Sequence, residues 1–138
     1  MGIVVNDLDK TRDFWINALG FKLHIEAKEA SPYVDELLAI NDPSLTTVKL
    51  IDSNGFIIEL LKFENYQVDK YWSGDLKTAG LTHIALTVDN LDELVNKLKI
   101  QNYQPLSDVK RSPNNKVKVV FVKGPEALML ELVEELIH

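Results

Sequence analysis

Two short segments recur in the same order along the chain and constrain what it can fold into. Asn6-Asp7-Leu8-Asp9 matches Asp89-Asn90-Leu91-Asp92 at an offset of 83 residues, and Ile57-Ile58-Glu59-Leu60 matches Met129-Leu130-Glu131-Leu132 at an offset of 72. Two landmarks in a conserved order indicate an internal duplication. Each match is only four residues long, so a chance similarity stays open as the alternative.

Hydrophobic periodicity predicts one order of elements, β-α-β-β-β, in both halves. The first half is predicted to hold a strand at 2–5, a helix ended by Gly20, an extended segment at 21–25, a short helix at 33–38, and strands at 46–51 and 56–63 around an Asn-Gly turn. The second half is predicted to hold a strand at 81–88, a helix capped by Asn90, and strands at 104–106, 116–122 and 128–133.

The predicted fold class is therefore α+β, with two tandem βαβββ modules in one domain. Module one covers 1–63, a connector covers 64–80 with a short helix near 68–72, and module two covers 81–138. Each module leaves one face of its sheet open. We expect the open faces to line a shared central cavity within a curved, barrel-like mixed sheet.

Composition excludes several classes of function. A formal net charge of −6 disfavours binding to nucleic acid or to anionic membranes. The absence of Cys removes disulfides, thiolate zinc sites and a Cys nucleophile. No stretch approaches the ~20 apolar residues of a membrane span, and no signal peptide is recognised, so a cytoplasmic protein is expected.

Three polar residues interrupt apolar strand sequence. Glu59 and Glu131 occupy equivalent places in the repeat, each between apolar neighbours on both faces of its strand, and His83 lies in the strand that opens module two. A buried carboxylate costs several kcal/mol unless it is paired, protonated or bound to a cation. One imidazole and two carboxylates suit a divalent ion such as Zn, Ni, Co, Mn or Fe(II).

Other interpretations of these residues stay open. A strand Glu often faces solvent, and a single strand His is often a hydrogen-bonded structural residue. Lys110-Arg111 and Lys116–Lys118 are either contacts for an acidic substrate or solvated surface. A set of aromatic residues lines either a ligand cavity or the core and a dimer interface: Trp15, Tyr33, Phe63, Tyr66, Tyr71 and Trp72.

The chain resembles the vicinal oxygen chelate superfamily, which includes glyoxalase I, methylmalonyl-CoA epimerase, extradiol dioxygenases and bleomycin-binding proteins. The similarity rests on segments spread over nearly the whole chain: Ile3–Lys10, Phe14-Trp15, Leu19-Gly20-Phe21, Ile58-Glu59-Leu60, Leu81–Leu86 and Leu130-Glu131-Leu132. The resemblance implies a metal with four ligands from the first and last strands of each module. Glu59, His83 and Glu131 fall on three of these positions.

The fourth ligand of that pattern falls immediately before Met1, so either the chain begins too late or the ligand is absent. His24 follows the first helix, on a different strand, and is not expected to substitute. Glu59 argues against a dioxygenase, which has no ligand at that position, and resembles bacterial glyoxalase I. Val4 stands where the glyoxalase pattern has an Arg that reads glutathione, so glutathione specificity is not expected.

The resemblance implies a metal-dependent lyase or isomerase that abstracts a proton next to a carbonyl of a small-molecule substrate, with Glu59 or Glu131 as the base. The protein is expected to be a homodimer. The alternative is a metal-free small-molecule binding or resistance protein of the bleomycin-resistance type.

Overall fold

The computed structural model describes residues 1–66 and 75–136, and it divides the chain into two compact units, Met1–Tyr71 and Trp72–His138. Each unit holds one four-stranded mixed sheet and the structure is α+β, as predicted. The short helix expected near 68–72 lies outside the described residues. Within the described part of the chain, no helix has the length and apolar character that crossing a membrane would require.

The first unit is a β-α-β-α-β-β arrangement. Its elements are β1 (Gly2–Val4), α1 (Leu8–Asp13), a π-helical turn (Phe14–Ala18), β2 (Lys22–Glu29), α2 (Tyr33–Leu38), β3 (Leu45–Ile51) and β4 (Ile57–Phe63). The sheet order is β1-β4-β3-β2, with β1 parallel to β4 and the other pairs antiparallel. The two chain segments that form its central pair, β3 and β4, are joined by the predicted Asn-Gly hairpin.

The second unit repeats this order without the short second helix. Its elements are β5 (Ile84–Thr87), α3 (Leu91–Ile100), β6 (Lys110–Arg111), β7 (Val117–Lys123), a 3₁₀ turn (Pro125–Ala127) and β8 (Met129–Glu135). The sheet order is β5-β8-β7-β6, with β5 parallel to β8 and the other pairs antiparallel. The first and last strands of each unit are therefore neighbours.

The repeated capping segments start the main helix of each unit. The Asp7 carboxylate accepts a hydrogen bond from the Lys10 backbone N–H at 3.0 Å, and the Asn90 side chain accepts one from Glu93 N–H at 3.1 Å. The Asn90 amide also donates to the Glu93 carboxylate at 3.2 Å, which resembles a capping box. Gly20 follows the first helix with φ +78°, a conformation that favours glycine.

Strand register confirms the duplication residue by residue. Gly2 pairs with Glu59 in the first unit, and Ala85 pairs with Glu131 in the second, which reproduces the offsets of 83 and 72. The antiparallel pairs follow the same rule, since Lys49 pairs with Glu59 and Phe121 with Glu131. The two glutamates therefore occupy equivalent places in two copies of one sheet.

Alternation along the last strand of each unit separates a core face from an open face. Leu60 and Leu132 are fully buried, whereas Glu59 and Glu131 lie on the opposite face and are partly exposed. In the second unit, α3 covers the core face with buried Leu91 and further apolar residues at helical spacing. Both carboxylates therefore lie on the face of their own sheet that the unit's main helix leaves uncovered.

The structure corrects four details of the prediction. The strands form two separate four-stranded sheets rather than one continuous mixed sheet. The strand expected at 81–88 begins at Ile84, where pairing with β8 begins, and the strand expected at 104–106 is a single bridge from Pro105 to Val122. The Lys110-Arg111 segment, where no strand was predicted, forms β6, because a turn at 112–116 folds it back on β7.

Candidate metal centre

His83 and Glu131 form a close pair on the open face of the second sheet. His83 Nε2 lies 3.0 Å from Glu131 Oε2, and the two side chains are 31% and 27% exposed. The contact arises from strand register, because Ala85 pairs with Glu131 and His83 precedes Ala85 by two residues, on the same face. Two of the three predicted site residues are therefore brought together within one unit.

The second ring nitrogen of His83 is held by Thr82. Thr82 Oγ1 lies 2.8 Å from His83 Nδ1. The His83 ring also packs edge-on against Phe121, with ring centroids 5.1 Å apart. The imidazole is therefore fixed on three sides. Neither Thr82 nor Phe121 was predicted from the sequence to belong to the site.

The geometry of the pair fits two neighbouring ligands of a divalent ion. The 3.0 Å separation of His83 Nε2 and Glu131 Oε2 is that of a hydrogen bond, and it is also the spacing of about 3 Å between neighbouring donor atoms at an octahedral ion with bonds near 2.1 Å. A metal needs Nε2 unprotonated, so Nδ1 would then carry the proton and donate it to Thr82 Oγ1. In either tautomer the Thr82 hydroxyl can complete the hydrogen bond.

Glu59 has a different partner in the first unit. Its Oε2 lies 3.9 Å from Lys49 Nζ, with side-chain exposures of 33% for Glu59 and 43% for Lys49. The backbone N–H of Glu59 donates to the Met1 carbonyl at 2.7 Å. Lys49, which was also not predicted from the sequence, takes the place beside Glu59 that Phe121 holds beside Glu131.

Taken unit by unit, the described residues contain no group of three or more His, Asp or Glu side chains arranged to hold a metal. His24 lies at a register irregularity of β2, and β3 separates that strand from β4 and Glu59. His24 is therefore not a neighbour of Glu59 in the first sheet. This agrees with the expectation that it lies on a different strand and does not substitute for the missing ligand.

The basic residues of the second unit have different surroundings. Lys118 is engaged on the helix-covered side, where its Nζ lies 2.5 Å from Asp92 Oδ2 and 3.0 Å from Glu134 Oε2. The hydrogen bond to Asp92, followed by that to Glu134, raises the pKa of Lys118 above its usual range. Lys110 and Arg111 are exposed on the edge strand β6. Lys118 is thus a structural cation rather than a contact for an acidic substrate.

The aromatic residues divide between core and surface. Trp15 is fully buried, and Tyr33 is 62% exposed. Phe63 and Tyr66, with ring centroids 6.2 Å apart, line an open cleft of about 550 Å³ in the first unit. The other residues lining this cleft are Val5, Asn6, Lys62, Glu64 and Asn65. Tyr71 and Trp72 lie outside the described residues.

If His83 is a metal ligand, removal of the Thr82 hydroxyl should weaken metal binding. Thr82→Val keeps the size of the side chain but leaves His83 Nδ1 without its partner, and loss of such an outer contact typically costs roughly 10- to 100-fold in affinity. Calorimetric titration with Zn²⁺ or Ni²⁺ measures the change. Thr87→Val on the exposed face of β5 is the matched control, and Thr82→Ser should restore binding; equal affinity of Thr82→Val and the unaltered protein would contradict the role.

Comparisons with known proteins agree with this architecture. The family profile described as Glyoxalase/Bleomycin resistance protein/Dioxygenase superfamily matches residues 1–121. Lactoylglutathione lyase of Escherichia coli O157:H7 is 30% identical over 131 residues, which cover 95% of this chain and 87% of the relative. Protein YwkD of Bacillus subtilis is 26% identical over 137 residues, covering 98% of this chain and 94% of the relative.

A solved structure shows the same fold. The crystal structure of a glyoxalase family protein from Bacillus cereus superposes with a TM-score of 0.89, covering 99% of this chain and 91% of that chain at 21% identity.

Proposed function

Because the chain belongs to the glyoxalase/bleomycin resistance protein/dioxygenase superfamily, we propose that it is a divalent-metal-dependent lyase or isomerase of the glyoxalase type. It would abstract a proton next to a carbonyl group of a small-molecule substrate. The observation that carries the proposal is the 3.0 Å pair of His83 Nε2 and Glu131 Oε2 on the open face of the second sheet. The similarity to lactoylglutathione lyase supports the reaction type.

His83 and Glu131 would supply two ligands, and Glu59 would supply a third. The role of Glu59 rests on its place in the repeat, where it matches Glu131 in strand and register. The ion itself, one of Zn, Ni, Co, Mn or Fe(II), would provide positive charge against which an enediolate forms. Two carboxylates beside one imidazole suit such a cation in both charge and ligand type.

Glu131 or Glu59 would also act as the general base. A base must reach the acidic proton of the substrate, and side chains about one-third exposed on an open sheet face meet that requirement. In the second unit, His83 and Phe121 fix the surroundings of Glu131. The carboxylate is therefore held in one direction before substrate arrives, which favours proton transfer.

The substrate is proposed only by class, as a small carbonyl compound with an acidic neighbouring C–H. Val4 is 50% exposed next to Leu61 of β4, and a valine offers no charge to a glutathione carboxylate. A glutathione moiety is therefore not part of the proposed substrate class. A homodimeric assembly is proposed from the resemblance alone.

Metal analysis combined with proton exchange tests the proposal. The purified protein should retain about one divalent ion per chain after dialysis, and His83→Ala should lose it. His24→Ala is the matched control, since it removes an imidazole from β2, and it should keep the ion. The unaltered protein should then exchange C–H protons for deuterium in at least one of a panel of α-hydroxy ketones and CoA esters. Equal metal content in all three proteins would contradict the proposed centre.

A metal-free binding protein is the second candidate, and the open cleft near Phe63 and Tyr66 favours it. A volume of about 550 Å³ lies in the range of small-molecule pockets. This function predicts protein that is active in ligand binding without any metal. Saturable binding that survives exhaustive chelation, together with no proton exchange, would support it over the enzyme.

A further inference from the structure

The outer strand of the first sheet, β2, is a long and exposed sheet edge. At Lys22–Glu29 it is the longest strand of the described residues, and six of its eight residues are exposed, among them Leu23 at 51% and Ile25 at 48%. The other sheet edges, β1, β5 and β6, have three, four and two residues. A long edge presents a row of backbone N–H and C=O groups to which another strand can bind. Among the edges described, β2 is therefore the best suited to strand pairing.

The hydrogen bonds of the first sheet show which backbone groups of β2 point away from it. The Asp52 N–H donates to the carbonyl of the residue that precedes β4, at 3.0 Å. Even-numbered residues of β3 therefore bond to β4, and its odd-numbered residues bond to β2. Ala27 of β2 pairs with Thr47, so the N–H and C=O of Ala27 point inward. Those of its neighbours, Glu26 and Lys28, point outward.

This pattern limits how two copies of β2 can pair in antiparallel fashion. Outward-pointing residues must stand opposite each other, and the irregularity between Leu23 and Ile25 ends regular pairing on one side. Glu26 can then face the partner's Glu26, Lys28 can face the partner's Lys28, or Glu26 can face the partner's Lys28. The first two arrangements oppose like charges, whereas the third forms two opposite-charge pairs around a twofold axis at Ala27.

We propose that β2 is a homodimer interface, in which Glu26 of each protomer lies opposite the partner's Lys28. The two first-unit sheets would then join into one continuous sheet. A lysine on a sheet edge ordinarily prevents pairing with other strands, but here the partner's Glu26 would neutralise it. The inference rests on the homodimeric assembly proposed above, and it involves neither metal nor substrate.

The Glu26 carboxylate is already held on the helix-covered face. Arg12 Nη2 lies 2.9 Å from Glu26 Oε1, with side-chain exposures of 27% for Arg12 and 46% for Glu26. Glu26 pairs with buried Val48, and Lys28 pairs with Thr46 two residues further, so both charged side chains lie on this face. A carboxylate can accept hydrogen bonds at both oxygens. Arg12 therefore orients Glu26 and leaves an oxygen for the partner's Lys28.

Charge reversal on the full chain tests this register, with sedimentation velocity over a series of concentrations. Glu26→Lys and Lys28→Glu each oppose like charges at both pairs and should weaken dimerisation by about 10- to 100-fold. An equimolar mixture of these two variants should form a heterodimer, and the double variant should dimerise like the unaltered protein. Lys22→Glu is the matched control, since it lies on the same strand beyond the irregularity, and should not change dimerisation. Circular dichroism verifies that each variant is folded.

A disulfide across the twofold axis gives a second measurement. The chain has no Cys, so one introduced Cys can form disulfides only between chains. Ala27 and the partner's Ala27 would form a non-hydrogen-bonded pair with Cα atoms about 4.5 Å apart, which a disulfide can span. Ala27→Cys should therefore give a covalent dimer on mild oxidation. Lys22→Cys should not, because the two copies of that position would lie about 30 Å apart.

The possible failures can be told apart. A dimer that withstands both charge reversals and is not cross-linked by Ala27→Cys uses another surface, which overturns the β2 interface while a homodimer stands. Single variants that dissociate but form no heterodimer when mixed overturn the register. A protein that is monomeric at every concentration overturns both the interface and the homodimer, whereas the proposed chemistry is judged separately by metal content and proton exchange.

Discussion

Replacement of the second-unit carboxylate, Glu131→Gln, is expected to slow exchange of the substrate's acidic C–H by about 10²- to 10⁴-fold, the usual contribution of a general base. Glutamine keeps the length and shape of the side chain but offers neither a negative charge nor a basic oxygen. The side chain lies on the open face of its sheet at 27% exposure, so the core is untouched. Proton NMR in D₂O measures the exchange rate directly.

Two further variants define what the result means. Glu59→Gln should slow exchange by a comparable factor, because the equivalent carboxylate of the first unit is proposed as ligand or base. Glu135→Gln is the matched control, since Glu135 lies on the same strand and is exposed. It should exchange at the original rate. Undiminished exchange in both Glu59→Gln and Glu131→Gln would remove the proposed chemistry, provided that thermal unfolding shows both variants to be folded.

The duplication could be predicted from the sequence because its landmarks are local. The acidic capping segments start helices by contacts within four residues, as Asp7 and Asn90 show, and such contacts are visible in the chain itself. The equivalent places of Glu59 and Glu131 on their strands follow from the alternation of side chains along a strand, which is also a local property. The offsets of 83 and 72 then recur in the structure, where Glu59 and Glu131 pair with the first strand of their own units.

The neighbours across the strands could not be predicted, because register depends on the exact loop length. The predicted strand limits, 46–51 and 56–63, would pair Ile51 with Phe56 and place Glu59 opposite Val48. In the structure Ile51 pairs with Ile57, so Glu59 lies opposite Lys49. The Asp52 carboxylate accepts hydrogen bonds from the backbone of Asn54 and Phe56, which holds Phe56 in the loop. A slip of one residue exchanges the two faces of a strand.

The burial of individual aromatic residues could not be predicted from the sequence either. The sequence left Trp15 open as a residue of either a ligand cavity or the core. The structure shows it at 0% exposure in the π-helical turn, edge-on to Phe21 with ring centroids 5.0 Å apart and to Phe14 at 6.2 Å. Helical spacing indicates which residues share a face, but it does not say what covers that face.

This burial makes Trp15 the residue whose truncation should cost the most stability. Trp15→Ala removes the largest side chain that is fully buried among residues 1–66 and 75–136 and leaves a cavity, for which losses of about 3–5 kcal/mol are typical. Since domains of ordinary size are stable by only about 5–15 kcal/mol, a substantial unfolded fraction is expected at moderate urea concentrations. Urea unfolding followed by far-ultraviolet circular dichroism measures the free energy of unfolding.

Trp15→Phe separates the contribution of ring packing to stability from the cost of the buried indole N–H. Within the described residues Trp15 Nε1 is buried without a hydrogen-bond partner, and such a group costs about 1–3 kcal/mol. Phenylalanine keeps an aromatic edge against Phe21 and removes the unpaired N–H, so it should lose less than half of what alanine loses. Tyr33→Ala, at a 62% exposed position, should change the free energy of unfolding by less than about 0.5 kcal/mol. A Trp15→Ala protein as stable as the Tyr33→Ala control would show that Trp15 does not pack in the core. The alternative, that Trp15 lines a ligand cavity, would then be favoured.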